Sequence, residues 1–193
     1  MSRMAVQHRV AAVILAAGAS SRFGSMKQLA PFDGGTMLDA VIETSRRASL
    51  DPLIVVASST LPLPEDIVRV PNDEPSAGLA RSLRLGLAAV PASSAAIILL
   101  ADQPTVTPAH LAQLLNARGS RPIVATEAAG VLGPPALLEP AAFHLADRIE
   151  GDRGLRDVLR SQPDNVASVA IPRHFPDVDE PSDLAALGET ALD

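Results

Sequence analysis

Two cations near the start of the chain are placed where they could bind a phosphate group. Arg22 and Lys27 follow a run of small residues, Gly18 to Ser21, which comes directly after an apolar stretch at Val10 to Ala17. Small residues let a bound group approach the backbone, and free N–H groups in such a loop suit phosphate oxygens or base edges. The stretch therefore predicts a loop that binds a triphosphate.

The spacing in this loop differs from two well-known phosphate-binding motifs. A Walker A loop has four residues between its glycines and a lysine directly after the second. Here five residues lie between Gly18 and Gly24, and Lys27 comes three positions later. The dinucleotide motif GxGxxG is also absent. A secretory signal built on Arg3, Arg9 and the apolar run is a further alternative, but the run is short and leads into a patterned helix.

An acidic residue follows the clearest central strand of the sequence. Ala95 to Ala101 is apolar throughout, and Asp102 comes next, with Pro104 ending the strand. In an open α/β sheet, ligands bind at the carboxyl ends of the strands, so Asp102 is expected beside the phosphate loop. A carboxylate next to phosphates needs a cation between them, and Mg²⁺ binds through one or two carboxylates plus substrate phosphates. Asp102 is therefore predicted as a Mg²⁺ ligand, with a loop or capping role as the alternative.

A second metal ligand is expected shortly before the last helix. Alternate residues of an extended chain point to opposite sides, so at most one of Asp177 and Asp179 faces the site. Asp179 lies nearer the helix, and we prefer it as the ligand. The alternative is an acidic turn that caps the helix, which is expected to begin at Ser182.

One predicted helix carries a face of small residues. Gly78, Ser82 and Gly86 recur every four positions, opposite a stripe of leucines. Such a face either admits a ligand, to which Ser82 would offer a hydroxyl, or allows the helix to pack tightly on its neighbour. The sequence leaves both interpretations open.

Strands and helices alternate along the chain. Six apolar segments predict strands: Val10 to Ala17, Leu53 to Ala57, Ile67 to Val70, Ala95 to Ala101, Pro122 to Thr126 and Val166 to Ile171. Helices are expected after the capping residues Thr36 and Thr107, within residues 72–90, at Leu137 to Leu145, at Leu155 to Leu159 and from Ser182. Ala129 to Pro135 is expected to be a loop that forms the wall of a pocket.

Composition narrows the class of protein. The length of 193 residues predicts one domain, and the net charge of −6 argues against nucleic acid or an acidic membrane as a partner. The absence of cysteine excludes disulfides and fits a cytoplasmic location. No apolar run approaches the roughly 20 residues that span a bilayer. The four histidines are too scattered for a zinc site and are expected at the surface.

Five motifs in this order resemble the molybdenum cofactor cytidylyltransferase family, MobA-like and MocA-like NTP transferases within the glycosyltransferase-A-like nucleotidyltransferase group. The motifs are LAAGASSRFGSMK (Leu15 to Lys27), GLARSLRLGL (Gly78 to Leu87), ADQP (Ala101 to Pro104), GDRGLR (Gly151 to Arg156) and DVDEPSDL (Asp177 to Leu184). Each is weak alone, but five in order over most of the chain make a specific match.

This resemblance implies a fold and a reaction. The fold would be α/β, a single Rossmann-like domain over residues 1–193 whose mostly parallel sheet carries helices on both faces. Residues 10–105 would form the nucleotide-binding half and residues 106–193 the acceptor-binding half. The reaction would be Mg²⁺-dependent transfer of CMP from CTP to the phosphate of the molybdenum-bound pterin, with release of pyrophosphate. A molybdoenzyme, or its maturation chaperone, would receive the product.

The resemblance also implies roles for individual residues. Arg22, Lys27 and Asp102 would be catalytic, with both cations on the triphosphate, and Asp102 and Asp179 would hold Mg²⁺. Residues beside the nucleotide would be Leu15, Ala16, Ala17, Gly18, Ser21, Arg22, Lys27, Gly78, Ser82 and Asp102. Gly133 and Asp152 would contact the acceptor.

Two further functions stay open. Guanylyl-transferring relatives usually begin LAGG, so the Ala16-Ala17 pair favours CTP over GTP. On the acceptor side, where the family has a tyrosine and then GHP, this chain has Ala128 and then Gly133-Pro134-Pro135. The alternatives are a nucleotidyltransferase that uses GTP or another phosphorylated acceptor, and a noncatalytic carrier of nucleotide or cofactor.

Overall fold

A computed structural model describes residues 9–18, 23, 26–151, 154–172 and 175–190. Its strands are β1 (Val10–Leu15), β2 (Pro31–Phe32), β3 (Gly35–Thr36), β4 (Leu53–Ala57), β5 (Val68–Pro71), β6 (Ala95–Leu100), β7 (Ile123–Ala128), β8 (Val131–Leu138) and β9 (Val166–Ala170). Its α-helices are α1 (Met37–Arg47), α2 (Gly78–Ala88), α3 (Pro108–Asn116), α4 (Leu155–Ser161) and α5 (Pro181–Thr190).

Within those ranges the main sheet has seven strands, in the order β5-β4-β1-β6-β8-β7-β9, and β2 and β3 form a separate two-stranded ribbon. β1 pairs in parallel with β4 and β6, and β7 pairs in parallel with β9. β8 runs antiparallel to both of its neighbours. The predicted mostly parallel α/β sheet is therefore confirmed.

Helices cover both faces of this sheet. Successive residues of β1 point to opposite faces. Ala12 and Ile14 pack with apolar residues of α1 and α3, whereas Ala11 and Val13 pack with those of α2 and α4. Because β1 is buried on both faces, it is apolar throughout instead of alternating with polar residues.

The capping residues predicted from the sequence begin their helices. The Thr36 hydroxyl accepts the backbone N–H of Asp39, whose carboxylate in turn accepts the N–H of Thr36, so α1 starts with a capping box. Thr107 caps α3 by accepting the N–H of His110. At α5 the prediction was wrong by one residue. The helix begins at Pro181, and the Asp183 carboxylate accepts the N–H groups of Asp179 and Glu180.

The segment predicted as a loop at Ala129 to Pro135 is largely strand β8. Ala129 (φ 50°) and Gly130 (φ 76°) form a two-residue turn in the left-handed region, which joins β7 and β8 as a hairpin. Leu137, predicted to be helical, lies in the same strand, and a 3₁₀ segment follows at Pro140–Arg148. The prediction was wrong because consecutive prolines are typical of loops, whereas here they lie within a strand at a break in its pairing.

That break in pairing opens the sheet between β6 and β8. The two strands are in register from Ala96 opposite Leu138 to Ile98 opposite Ala136. Pro134 and Pro135 come next on β8, and neither has an N–H to donate to a neighbouring strand. On the β7 side the register also shifts, between Ala125 and Thr126. A gap is therefore left beside the carboxyl end of β6.

A buried polar contact holds the irregular part of β8. The Thr126 hydroxyl donates to the carbonyl of Pro135 at 2.7 Å and pairs with His110 Nε2, also at 2.7 Å. Since the hydroxyl has one hydrogen, His110 Nε2 must be the donor in the second bond. His110 is 4% exposed, so its predicted surface position was wrong, and burial lowers the pKa of its imidazole.

No helix in the described ranges is both long enough and apolar enough to cross a bilayer.

At Gly86, the interpretation of the small-residue face as a packing surface is confirmed. This glycine faces the sheet, where an added Cβ would overlap Cγ1 of Val13 and lie 3.0 Å from Cγ2 of Val56. Its lack of a side chain lets α2 pack closely on β1 and β4. At this position the small residue therefore serves packing.

Gly86→Ala should destabilise the fold even though alanine favours helix. Overpacking of this kind raises the free energy of the native state by about 1–3 kcal/mol. For a chain of this size we expect the melting temperature to fall by about 3–10 °C, as measured by circular dichroism. Val13→Ala removes the methyl group that would overlap. The double variant should therefore lose less stability than the two single losses added together, and strict additivity would contradict the packing argument.

Candidate functional site

The carboxyl ends of β1 and β6 border a cavity of about 280 Å³, which we call the strand-end cavity. It is lined by Leu15, Ala16, Ala17, Gly18, Lys27, Gln28, Gly78, Leu79, Ser82, Leu100, Ala101 and Asp102. Of the residues predicted to contact a nucleotide, all that lie in described ranges are among them. Adjacent parallel strands and the start of α2 bring these residues together from three separate motifs.

The small-residue face therefore divides between two roles. Gly78 and Ser82 line the strand-end cavity, whereas Gly86, one turn farther along α2, packs on the sheet. Gly78 has φ 79°, a left-handed conformation that strongly favours glycine at the first position of the helix. The ligand interpretation thus applies to the beginning of α2 and the packing interpretation to its second half.

Lys27 and Asp102 meet at one edge of the strand-end cavity. The Lys27 ammonium lies 2.7 Å from Asp102 Oδ2 and 3.2 Å from Asp179 Oδ1, and it also donates to the carbonyl of Val178 at 3.2 Å. The Lys27 side chain is 13% exposed and that of Asp102 is 22% exposed. A cation and an acid from distant motifs thus share one partly buried position, as the sequence predicted.

The charge state of Lys27 is held by these contacts. Burial alone would lower the pKa of its ammonium group, but the charge and hydrogen bond of Asp102, followed by those of Asp179, raise it above the ordinary value. Lys27 is also the only lysine in the sequence, which has no tyrosine and no cysteine. At neutral pH, Lys27 is therefore protonated and can offer a positive charge to a phosphate group in the strand-end cavity.

Asp102 has one oxygen free for another ligand. Its Oδ2 accepts from Lys27, while its Oδ1 is buried and has no hydrogen-bond partner among the described residues. A buried carboxylate oxygen without a partner is costly unless a cation or donor binds it. Within the described ranges, no group of three or more histidine, cysteine or acidic side chains is arranged so that it could hold a metal ion. The Asp102 carboxylate therefore fits a site for Mg²⁺ or Mn²⁺ in which one or two carboxylates hold the ion and substrate phosphates complete its coordination.

Asp177 and Asp179 face different partners. Asp179 is paired with Lys27, and its side chain is 50% exposed. Asp177 accepts a hydrogen bond from Gln103 Nε2 at 2.7 Å and lies 3.7 Å from the Arg156 guanidinium. Burial, and then the nearby charge of Asp102, raise the pKa of the Asp177 carboxyl. The two acids thus take different partners, and the preference for Asp179 as second metal ligand stays a prediction.

A second cavity, of about 420 Å³, lies in the gap between β6 and β8, and we call it the α4 cavity. It shares Leu15, Leu79, Leu100 and Asp102 with the strand-end cavity. The rest of its lining is Ile98, Pro134, Gly154, Leu155, Arg156, Asp157, Arg160 and Asp177. Asp102 therefore lies on the wall common to two neighbouring cavities, the second of which presents two arginines.

The remaining predicted site residues are placed as follows. Ser21, Arg22 and Asp152 lie outside the described residues. Gly133 is buried in β8 opposite Thr126, and its neighbour Pro134 lines the α4 cavity. The expected loop was wrong as secondary structure, yet Pro134 does border a cavity.

Three residues that contribute to the site were not predicted from the sequence. Gln28 donates to the carbonyls of Ala16 at 2.6 Å and Gly18 at 3.3 Å, which holds the end of β1 against the loop. Asn72 contacts Ser82, and Arg160 lines the α4 cavity. Only Arg160 left a signal that could have been used, because it lies one helical turn after Arg156 in the GDRGLR motif.

Comparison with known proteins gives this architecture a family. The model of the MobA-like NTP transferase domain matches residues 12–166. The chain belongs to this family. Its members are nucleotidyltransferases, and both cavities lie almost wholly within the matched residues.

Individual relatives match most of the chain. Rv0371c from Mycobacterium tuberculosis is 31% identical in sequence, and the match covers 94% of this chain and 98% of the mycobacterial chain. Its crystal structure superimposes with a TM-score of 0.80. A structure of the same mycobacterial protein with manganese, at 29% identity with the same coverage, has a TM-score of 0.77. The purine catabolism protein PucB of Bacillus subtilis is 25% identical over 170 residues, 77% of this chain and 80% of that protein. The manganese in the mycobacterial structure fits a divalent metal at the family site.

The charge pair makes a prediction about alkaline stability. A raised native pKa means that the ammonium stabilises the fold below the unfolded pKa of about 10.4, and that this contribution is lost as pH rises through the native pKa. Because Lys27 is the only lysine and tyrosine and cysteine are absent, it is the only side chain expected to titrate between pH 9 and about 12.

We therefore expect the free energy of unfolding to fall above about pH 10.4, at up to roughly 1.4 kcal/mol per pH unit. Urea unfolding followed by circular dichroism measures it. Lys27→Arg retains the positive charge and does not titrate in this range, so its stability should stay level over the same pH interval. An equal decline in both proteins would contradict the assignment to Lys27.

Proposed function

We propose that this protein transfers CMP from CTP to the phosphate of a molybdenum-bound pterin and releases pyrophosphate. The observation that carries the proposal is the position of Asp102 on the wall shared by the strand-end cavity and the α4 cavity. A transferase must hold two substrates side by side with the reacting atoms between them. CTP would occupy the strand-end cavity, and the acceptor phosphate would enter from the α4 cavity.

The strand-end cavity suits the nucleotide. Its lining comes entirely from residues 15–102, within the predicted nucleotide-binding half, and includes the small residues Ala16, Ala17 and Gly18. The β-carbon of Ala17 narrows the space where relatives that use GTP usually have glycine, which favours a pyrimidine. Lys27 would exchange its carboxylate partners for phosphate oxygens, a short movement for a flexible side chain.

The α4 cavity suits an anionic acceptor with an apolar body. Arg156 and Arg160 lie one turn apart on α4 and offer planar donors that match phosphate. Leu100, Leu155 and Pro134 supply apolar surface. With CTP in the neighbouring cavity, an acceptor phosphate drawn towards these arginines would lie close to the α-phosphate.

The reaction would then proceed by in-line displacement. An acceptor phosphate oxygen forms a bond to the α-phosphorus of CTP, and the bond from that phosphorus to the β-phosphate oxygen breaks, so pyrophosphate leaves with the electron pair. The acceptor phosphate is already ionised near neutral pH, so no general base is needed. Lys27 stabilises the charge that develops on the phosphate oxygens. Asp102, with Asp179 or Asp177, would hold Mg²⁺, which when bound neutralises charge on the triphosphate.

A second candidate follows from Pro134. The family usually has GHP here, but Pro134 brings no donor and no charge to the α4 cavity. The acceptor could accordingly be a different phosphorylated molecule, with GTP or CTP as donor. The name of the Bacillus relative refers to purine catabolism, so members of the family serve more than one context. A carrier that binds nucleotide or cofactor without turnover is the noncatalytic alternative. For either enzyme the nucleotide substrate points to a cytoplasmic location.

Pyrophosphate release separates these candidates. We expect release with CTP, Mg²⁺ and the molybdenum-bound pterin, and less with GTP, UTP or ATP. Asp102→Asn should lower the rate by at least about 10²- to 10³-fold, by analogy with the loss of one preorganised group at a developing charge. Asp164→Asn, an exposed acid beyond α4, is the matched control and should retain full activity.

Other results would point elsewhere. Release that requires GTP would overturn the cytidine assignment, and release with another phosphorylated acceptor only would overturn the pterin. Tight CTP binding with no release under any of these conditions would favour the carrier. Full activity in a folded Asp102→Asn protein would remove Asp102 from the reaction.

The single lysine allows nucleotide binding to be located without an acceptor. An amine-reactive ester can acylate only Lys27 and the α-amine of the chain. Because the ester reacts only with the unprotonated amine and the pKa of Lys27 is raised, labelling is carried out at about pH 9. With Mg²⁺ and CTP at about ten times its dissociation constant, acylation of Lys27 should slow roughly tenfold, because about nine-tenths of the protein is then occupied. Peptide mass spectrometry measures both amines, and the α-amine serves as internal control. Equal labelling of Lys27 with and without CTP would place the triphosphate elsewhere.

A further inference from the structure

Asn72 is a buried polar residue that no motif singled out. It follows β5, is 2% exposed, and is anchored by its backbone N–H, which donates to the carbonyl of Ala57 at 2.8 Å. Its side chain reaches Ser82 on the first turns of α2, where Ser82 lines the strand-end cavity. Asn72 thus lies directly behind a residue that faces the proposed nucleotide.

The orientation of the Asn72 amide is fixed by its other partners. Its Oδ1 accepts from Arg81 Nε at 3.1 Å and from the backbone N–H of Glu74 at 3.3 Å. Both of these groups can only donate, so a reversed amide would place its own NH2 group against two other donors. Arg81 is itself held by an ion pair with Glu74 at 3.2 Å. The Nδ2 group must therefore be the one that faces Ser82.

This fixed amide determines what the Ser82 hydroxyl can offer. Asn72 Nδ2 donates to Ser82 Oγ at 2.9 Å, so the oxygen acts as acceptor in that contact. A hydroxyl has one hydrogen, and that of Ser82 has no acceptor among the residues that the structure describes. Ser82 is 5% exposed, and the open space beside it is the strand-end cavity. The hydroxyl is accordingly ready to donate to a bound ligand.

We propose that Arg81 and Asn72 set Ser82 as a hydrogen-bond donor towards the nucleotide base, which must present an acceptor at that point. Cytosine does so at O2 and N3. Ser82 is then a residue that donates to the base, and Asn72 is a positioning residue that acts through it. The inference rests on the proposed function in one respect, that the nucleotide occupies the strand-end cavity. A ribose hydroxyl can both donate and accept, so a contact with the sugar would not depend on this polarity.

Asn72→Asp tests the polarity with almost no change of shape. The carboxylate at position 72 can still accept from Arg81 and Glu74, but it can only accept from Ser82 as well. The Ser82 hydrogen would turn away from the ligand, and an oxygen lone pair would face the base acceptor. CTP affinity, measured calorimetrically with Mg²⁺, should fall about 10- to 100-fold, as expected when a buried acceptor loses its donor.

A double-mutant cycle isolates the effect that passes through Ser82. Ser82→Ala alone should weaken CTP binding, and Asn72→Asp added to it should cause a much smaller further loss, because no hydroxyl remains to be reoriented. Repulsion between the new carboxylate and the triphosphate is common to both backgrounds and cancels in the cycle. Coupling of fivefold or more supports the proposal, and independent losses overturn it.

Matched variants guard against indirect effects. Asn165→Asp makes the same change outside both cavities, in a residue that bonds Gln162, and should leave CTP affinity unaltered. If Asn72→Asp does not fold, Arg81→Met removes the shorter of the two hydrogen bonds that orient the Asn72 amide and brings no new donor. The Glu74 N–H alone orients the amide less firmly, so CTP binding should weaken several-fold, whereas unchanged affinity would overturn the proposal.

The two levels of inference fail differently. A wild-type protein that binds no CTP would refute the proposed function and this inference together. Wild-type binding that is matched by Asn72→Asp would refute only the role of Asn72 and would indicate that Ser82 meets the sugar.

Discussion

Lys27 and Asp102 place opposite charges in a partly buried position, and most of the site is arranged around that contact. Removing two charges from water is unfavourable unless they are paired and their remaining hydrogen-bonding capacity is met. Here the loop after β1 supplies the ammonium, and its partners come from the end of β6 (Asp102) and from the segment before α5 (Val178 and Asp179). The pair is thus a poor device for stability alone, but it keeps a cation where a phosphate group can replace its carboxylate partners.

A second constraint comes from strand pairing. A proline cannot donate to a neighbouring strand, and two consecutive prolines at Pro134 and Pro135 leave β8 unable to follow β6 to its carboxyl end. The gap becomes the α4 cavity. The buried Thr126 hydroxyl satisfies the carbonyl of Pro135, the second of these prolines. Because the gap opens directly beside Asp102, the same acid borders both cavities. In the proposed reaction, the position of the acceptor site therefore depends on where the sheet stops pairing.

Elements whose signals are local could be predicted from the sequence. The apolar run at β1 and the capping pair of Thr36 and Asp39 depend on neighbours within a few residues, so pattern alone located them. β8 was mistaken for a loop because its partners, β6 and β7, supply the pairing that its composition conceals. His110 was expected at the surface because nothing local shows that Thr126 and Phe175 cover it.

For the site, the sequence by itself determined which residue types stand after which strands, and the parallel sheet implied that Lys27 and Asp102 would share an edge. Only the tertiary structure decided that Asp177 and Asp179 take different partners, that Asn72 lies behind Ser82, and that the small-residue face of α2 serves a cavity at one end and packing at the other. The physical reason is the distance along the chain over which each interaction acts. Backbone propensity and strand direction act between near neighbours in the chain, whereas hydrogen-bond polarity and cavity shape depend on side chains that meet only after folding.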